Sequence, residues 1–127
     1  MAAPHLGRVQ LLIMQVLWEK ERATAREITD SLNQLEPIAH STVQTLLRGL
    51  EEKGAVAHEA EGRTFVFFPC VEQGKYRRSA TREFVDRVFG GQIGDLVSYL
   101  IKNENISAQE LREIRKLIEQ QGNQPRK

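Results

Sequence analysis

Ser41, Gln44, Thr45 and Arg48 recur at i, i+3, i+4 and i+7 inside the stretch HSTVQTLLRGLEEKG, His40 to Gly54. At about 100° per residue these four share one helix face, with Val43, Leu46, Leu47 and Leu50 on the other. An idle solvent face usually carries Glu and Lys pairs at i, i+4. Two hydroxyls, an amide and a guanidinium instead can donate and accept hydrogen bonds toward a patterned partner such as the base edges of double-stranded DNA.

A second set of residues offers positive charge. KYRRSATR contains Lys75, Arg77, Arg78 and Arg82 without an acidic residue, and Arg63 stands alone at an expected hairpin tip. Acidic residues gather elsewhere, at Glu19, Glu21, Glu51 and Glu52 and from Glu104 to Glu119. That asymmetry suits a protein with one basic side, although a solvated basic helix face accounts for KYRRSATR equally well when the stretch is taken alone. The net charge of +1 is neutral on the question, because affinity for phosphate depends on where the charges sit.

Catalytic chemistry finds no constellation. His5, His40 and His58 fall on a chain start, a turn and a strand, with no HExxH, nucleophile motif or glycine-rich phosphate loop. They are expected to be surface or capping residues, and no catalytic residue, cofactor or metal is expected. A single cysteine, Cys70, excludes an internal disulfide and a multi-cysteine metal site. It follows the apolar run ending in Phe68 and is expected to be a semi-buried structural thiol.

The elements that must position these residues follow from periodicity. The 127 residues, 40% hydrophobic and 28% charged, describe an ordinary globular chain. No apolar run approaches the roughly 18 to 20 residues of a membrane span, and the start lacks a signal-peptide pattern, so no membrane association and a cytoplasmic location are expected. Val9, Leu12, Ile13, Val16 and Leu17 predict a first helix over Leu6 to Lys20, with Trp18 in the core. Thr24 and Glu27 match a capping box opening a second helix that runs to about Leu35, and Pro37 breaks it. Ser41 and Gln44 match another capping box, opening a third helix that Gly54 ends.

After Gly54 the pattern alternates. AVAHEAEGRTFVFFP predicts two antiparallel strands around a tight turn at Glu61-Gly62-Arg63. The order helix, helix, turn, helix, hairpin is that of a winged helix-turn-helix, whose third helix enters the major groove.

The last third is helical and strongly apolar. Phe84, Val85, Val88 and Phe89 lead to Gly90-Gly91, and Ile93, Leu96, Val97, Leu100 and Ile101 then form one stripe. Ser107 and Glu110 match a third capping box, before Leu111, Ile114, Leu117 and Ile118. About 45 residues enclose such stripes poorly, so pairing with a second copy is the economical expectation. Packing back onto the winged part is the alternative. The expected fold class is mainly α with a small β-hairpin: a winged-helix DNA-binding domain over 1-73, a helical dimerisation region over 74-122 and a flexible tail over 123-127.

Several strings resemble the penicillinase-repressor (BlaI/MecI) family of transcriptional regulators over nearly the whole chain. They are VLW at Val16 to Trp18, TVQTLLRGLEEKG at Thr42 to Gly54, EGRTFVF at Glu61 to Phe67, and the spacing of the terminal helices around Ile106-Ser107. The resemblance implies a homodimeric repressor on a palindromic operator, dimerised through its carboxy-terminal helices. By position it assigns base reading to Thr42, Gln44 and Thr45, and a phosphate contact to Arg63. The chain departs from the family in having Ser41 where many relatives have a basic residue and Gly49 where they have arginine. Neither can fork onto guanine or phosphate as arginine does.

The resemblance also implies a regulatory protease as partner, since antibiotic-responsive members are cut at an Asn-Phe bond. The aligned positions here are Tyr99 and Leu100, which depart from it. Copper-responsive relatives carry paired cysteines near the carboxy terminus, which this chain lacks. A winged module that docks proteins without binding DNA is the competing function class. Salt separates the two, because a binder of several phosphates loses affinity steeply as salt rises.

Overall fold

The computed structural model describes residues 4–122, and its first element, α1, runs over Arg8–Lys20. The Gly7 amide donates to Gln10 Oε1 at 3.1 Å, satisfying one donor that a helix start leaves free. Ile13, Met14 and Leu17 are buried on one side of α1, and Leu6 is buried just ahead of it. Trp18 differs from expectation. It sits half-buried at the rim of the core, where its indole N–H donates to the Val71 carbonyl at 2.8 Å, an acceptor that an apolar interior could not supply.

Helix α2, Ala25–Asn33, opens on the capping box that the sequence predicts. The Glu27 amide donates to Thr24 Oγ1 at 3.1 Å and the Thr24 amide to Glu27 Oε1 at 2.8 Å. Hydrogen bonds from the Thr24 backbone and side chain hold the Glu27 carboxyl below the ordinary carboxylate range. The helix stops at Asn33, short of Leu35, because the Asn33 side chain bridges the turn. Its Nδ2 donates to the carbonyls of Thr29 at 2.7 Å and Ile38 at 2.9 Å, while Oδ1 accepts from the Ile38 amide at 3.1 Å.

Helix α3 spans His40–Glu52. The capping box expected from Ser41 and Gln44 does not form: the N-cap is Ala39, and Ser41 lies exposed within the first turn. The entry is held from outside the helix instead. Thr29, a buried hydroxyl, donates to the Ala25 carbonyl at 2.8 Å and so accepts from His40 Nδ1 at 2.9 Å. Gly54, at φ 79, ends the helix in a conformation that side chains disfavour.

The expected hairpin is part of a three-stranded sheet. β2, Val56–Glu61, pairs antiparallel with β3, Thr64–Pro69, and β1, Ala23–Thr24, pairs with the free edge of β3, giving the order β1-β3-β2. Glu61 faces Thr64, so Gly62 and Arg63 alone make the turn. Gly62 has φ 65 and Arg63 has no positive φ, the pattern of a II′ hairpin turn. Ile28, Leu32, Val43, Leu47, Leu50, Ala55 and Val56 join the α1 residues in one core. Cys70 is exposed, contrary to expectation: its amide is tied to the Ala55 carbonyl at 2.8 Å, and the thiol stays outside.

Helix α4, Gln73–Phe89, unites the basic stretch and the Phe84–Phe89 run in one element, and the chain divides into two compact units within it, between Glu83 and Phe84. In the first unit Tyr76 packs on the core, its ring 5.8 Å from that of Trp18. The second unit holds α5, Ile93–Asn103, and α6, Ala108–Gly122. Ser107 Oγ accepts from the Glu110 amide at 3.1 Å, the first half of the expected capping box. Val85 is buried, and Leu96 and Ile114 are half-buried. Phe84, Val88, Ile93, Val97, Leu100, Ile101, Leu111, Leu117 and Ile118 are exposed. The expected tail over 123–127 lies outside the described residues. Among those residues no helix is long and apolar enough to cross a membrane.

Candidate nucleic-acid interface

Helix α3 turns Val43, Leu47 and Leu50 into the core, which leaves Ser41, Thr42, Gln44, Thr45 and Arg48 exposed. Thr45 Oγ1 donates to the Ser41 carbonyl at 3.1 Å and accepts from Arg48 Nη2 at 3.4 Å. These two bonds gather the polar face into a short connected row.

The sheet brings a further residue to that row. A groove of about 390 Å³ between α3 and the hairpin is lined by Gln44, Leu47, Arg48, Arg63, Phe65, Phe67 and Ala25. Arg63 therefore shares a cleft with three α3 residues, two of which, Gln44 and Arg48, belong to the polar row. Phe65, 53% exposed on the wall of the groove, was not singled out by sequence. The alternation of β3, which sends residues 65 and 67 to one face, is the pattern that would have found it.

Lys75, Arg77 and Arg78 lie exposed on the first turns of α4 and do not line this groove. Lys75 Nζ is 3.5 Å from Glu72 in an exposed pair. Gly49 faces α1, where a Cβ would come within 3.2 Å of Gln10 Nε2. A long side chain there would meet α1 before it met anything in the groove, so the departure at Gly49 removes no group from the polar row.

His40 and His58 have structural partners, His40 at the start of α3. His58 Nδ1 lies 2.6 Å from Glu51 Oε1, with its ring 4.4 Å from Phe65 and 5.4 Å from Phe67. No cluster of three metal-ligating side chains exists among the described residues.

An exposed row on the third helix, an arginine at a hairpin tip and one groove between them are arranged as in a winged helix-turn-helix. A family model described as penicillinase repressor matches residues 6–120. The chain belongs to this family. It is 28% identical over 120 residues to the penicillinase repressor of Bacillus licheniformis, covering 94% of each chain. It is 24% identical over 106 residues to the methicillin resistance regulatory protein MecI of Staphylococcus aureus strain N315, covering 84% of this chain and 86% of that one. Among solved structures it is similar to the monomeric form of Bacillus licheniformis BlaI in complex with the blaP half-operator. That match has 31% identity and a TM-score of 0.51, and covers 58% of this chain and 90% of the other. Membership of the penicillinase-repressor family makes the protein a DNA-binding transcriptional repressor. Its members are not enzymes. Tyr99 and Leu100 lie in the helical backbone of α5.

Proposed function

We propose that this repressor acts in the cytoplasm as a homodimer on a palindromic operator and carries no catalytic activity. A winged reader extends into the first turns of α4, and a dimerisation region follows. Ser41, Thr42, Gln44, Thr45 and Arg48 read base edges in the major groove. Arg63 takes a phosphate at the wing, and Lys75, Arg77 and Arg78 add backbone contacts. Phe84, Val88, Ile93, Leu96, Val97, Leu100, Ile101, Leu111, Ile114, Leu117 and Ile118 form the dimer face.

The observation that carries the assembly is the exposure of all of these side chains except Leu96 and Ile114 within one chain. Leu117 is 64% exposed, and Ile93 and Ile118 are each 58% exposed. A row of that kind on three successive helices is the mark of an interface and is poorly tolerated by a soluble monomer. A two-fold dimer presents two readers, which explains why a symmetric site would be preferred. The test joins sedimentation of the full chain to titration of a duplex enriched by the protein from a random pool, and of each half of it. A dimer that binds the intact duplex far more tightly than either half supports the proposal; a monomer, or equal affinity for whole and half, refutes it.

A further inference from the structure

The wing holds an electrostatic contradiction. Glu59 and Glu61 sit on β2 beside Arg63, so the hairpin taken alone carries more negative than positive charge at the end expected to approach phosphate. The structure resolves this through Arg22. Its guanidinium Nη2 lies 3.1 Å from Glu59 Oε2 and 3.0 Å from Glu61 Oε2, with the guanidinium carbon 5.6 Å from the centre of the Phe68 ring.

The geometry is a strap across the whole sheet. Arg22 precedes β1, and the carboxylates lie on β2, at the opposite edge of the order β1-β3-β2. The side chain passes over β3 on the face that carries Phe68, opposite the face of Phe65 and Phe67 that lines the groove. The chain enters this position through Glu21, at φ 70 the one non-glycine residue with positive φ among the described residues. Strain of that kind persists only where surrounding structure enforces it. The three charged side chains are 44%, 60% and 61% exposed, and exposed ion pairs add little to stability, so folding alone does not account for the strap.

We propose that Arg22 is a positioning residue of the DNA interface, masking Glu59 and Glu61 and holding the wing so that Arg63 meets phosphate. The proposal rests on the wing approaching DNA. Without Arg22 two carboxylates would stand uncompensated on the back of the wing, beside the tip expected to meet phosphate, and their repulsion of the backbone acts through space from either face of the sheet.

The experiment uses the full chain, a random-sequence duplex and the duplex enriched from a random pool, each titrated over a salt series. Arg22→Met keeps the packing on Phe68 and removes the charge. It should bind both duplexes roughly tenfold more weakly at low salt, with the deficit narrowing as salt screens the carboxylates. Adding Glu59→Gln and Glu61→Gln to that variant should restore most of the affinity. Glu59→Gln with Glu61→Gln alone, which leaves Arg22 in place, should bind no more weakly than the wild type. Unchanged binding by Arg22→Met overturns the proposal, as does a triple variant no tighter than Arg22→Met, which would mark Arg22 as a direct phosphate contact or a purely structural residue. Arg63→Ala separates this from the parent reading. If it leaves affinity and salt slope unchanged, the wing does not meet DNA; if it weakens binding while Arg22→Met does not, only the strap falls.

Discussion

The two units of the chain handle apolar surface in opposite ways. Among the described residues, every buried hydrophobic one except Val85 precedes Glu83, and every large exposed one except Leu35 and Phe65 follows it. The first unit closes its core with three helices and a sheet. The second has comparable amphipathic helices and leaves their stripes in the open. Helix formation and burial are thus separable: the same periodicity produces a self-sufficient core only where the topology supplies a facing layer.

The largest expected effect would break this contrast at its open side. Leu100→Asp places a carboxylate in the proposed interface, where burial without a partner costs several kcal/mol. Sedimentation should show monomer while the melt of the winged unit stays in place; a variant that remains dimeric would show that the stripe faces water. Leu47→Ala attacks the closed side. Truncating this fully buried leucine should lower stability by about 2 to 5 kcal/mol, read by denaturant unfolding. At concentrations where the chain is still folded, its dimer should sediment as before.

Smaller changes sharpen the contrast. Gln44→Ala and Thr45→Ala should each weaken binding to the enriched duplex by about 1 to 3 kcal/mol and alter random-sequence binding little. Equal losses on both duplexes would assign these residues to backbone contact. The smallest effect concerns the α2 capping box. Because the folded Glu27 carboxyl titrates below its unfolded value, its contribution is complete above about pH 4.3 and is lost as pH falls through the lower folded value. The melting temperature of the wild type should therefore drop more steeply on acidification below about pH 4 than that of Glu27→Gln, whose neutral amide keeps an acceptor for the Thr24 amide.

Much of the first unit was legible because its cues are local. The apolar spacing of α1 and α3, the Thr24 and Glu27 pair, and the glycine in the wing turn each act within a few residues. What sequence missed depends on contacts between distant segments. A two-residue strand such as β1 is too short to show alternation, so its pairing with β3 could not be foreseen. Ser41 and Gln44 have capping-box spacing, yet the start of α3 is set by His40 against Thr29 on another helix. The common groove of Arg48 and Arg63, and the pairing of Arg22 with Glu59 and Glu61, follow from tertiary packing and sheet register, which composition does not express. In the second unit the stripes were readable from their period, whereas their exposure was not, because period alone does not tell which faces the rest of the chain leaves open.

Trp18 has a consequence of another kind. It is the one tryptophan in the molecule, and it donates to the Val71 carbonyl where β3 gives way to α4, with the tilted ring of Tyr76 beside it. Illuminated beyond the absorption edge of tyrosine, the protein would emit from this spot alone. Its colour and polarisation would follow the seating of the first turn of α4 on the winged unit. Phe84, Phe89 and Tyr99, the aromatic residues of the other unit among those described, would remain dark. The chain thus carries its own optical gauge inside the first unit, where the start of α4 leaves the sheet.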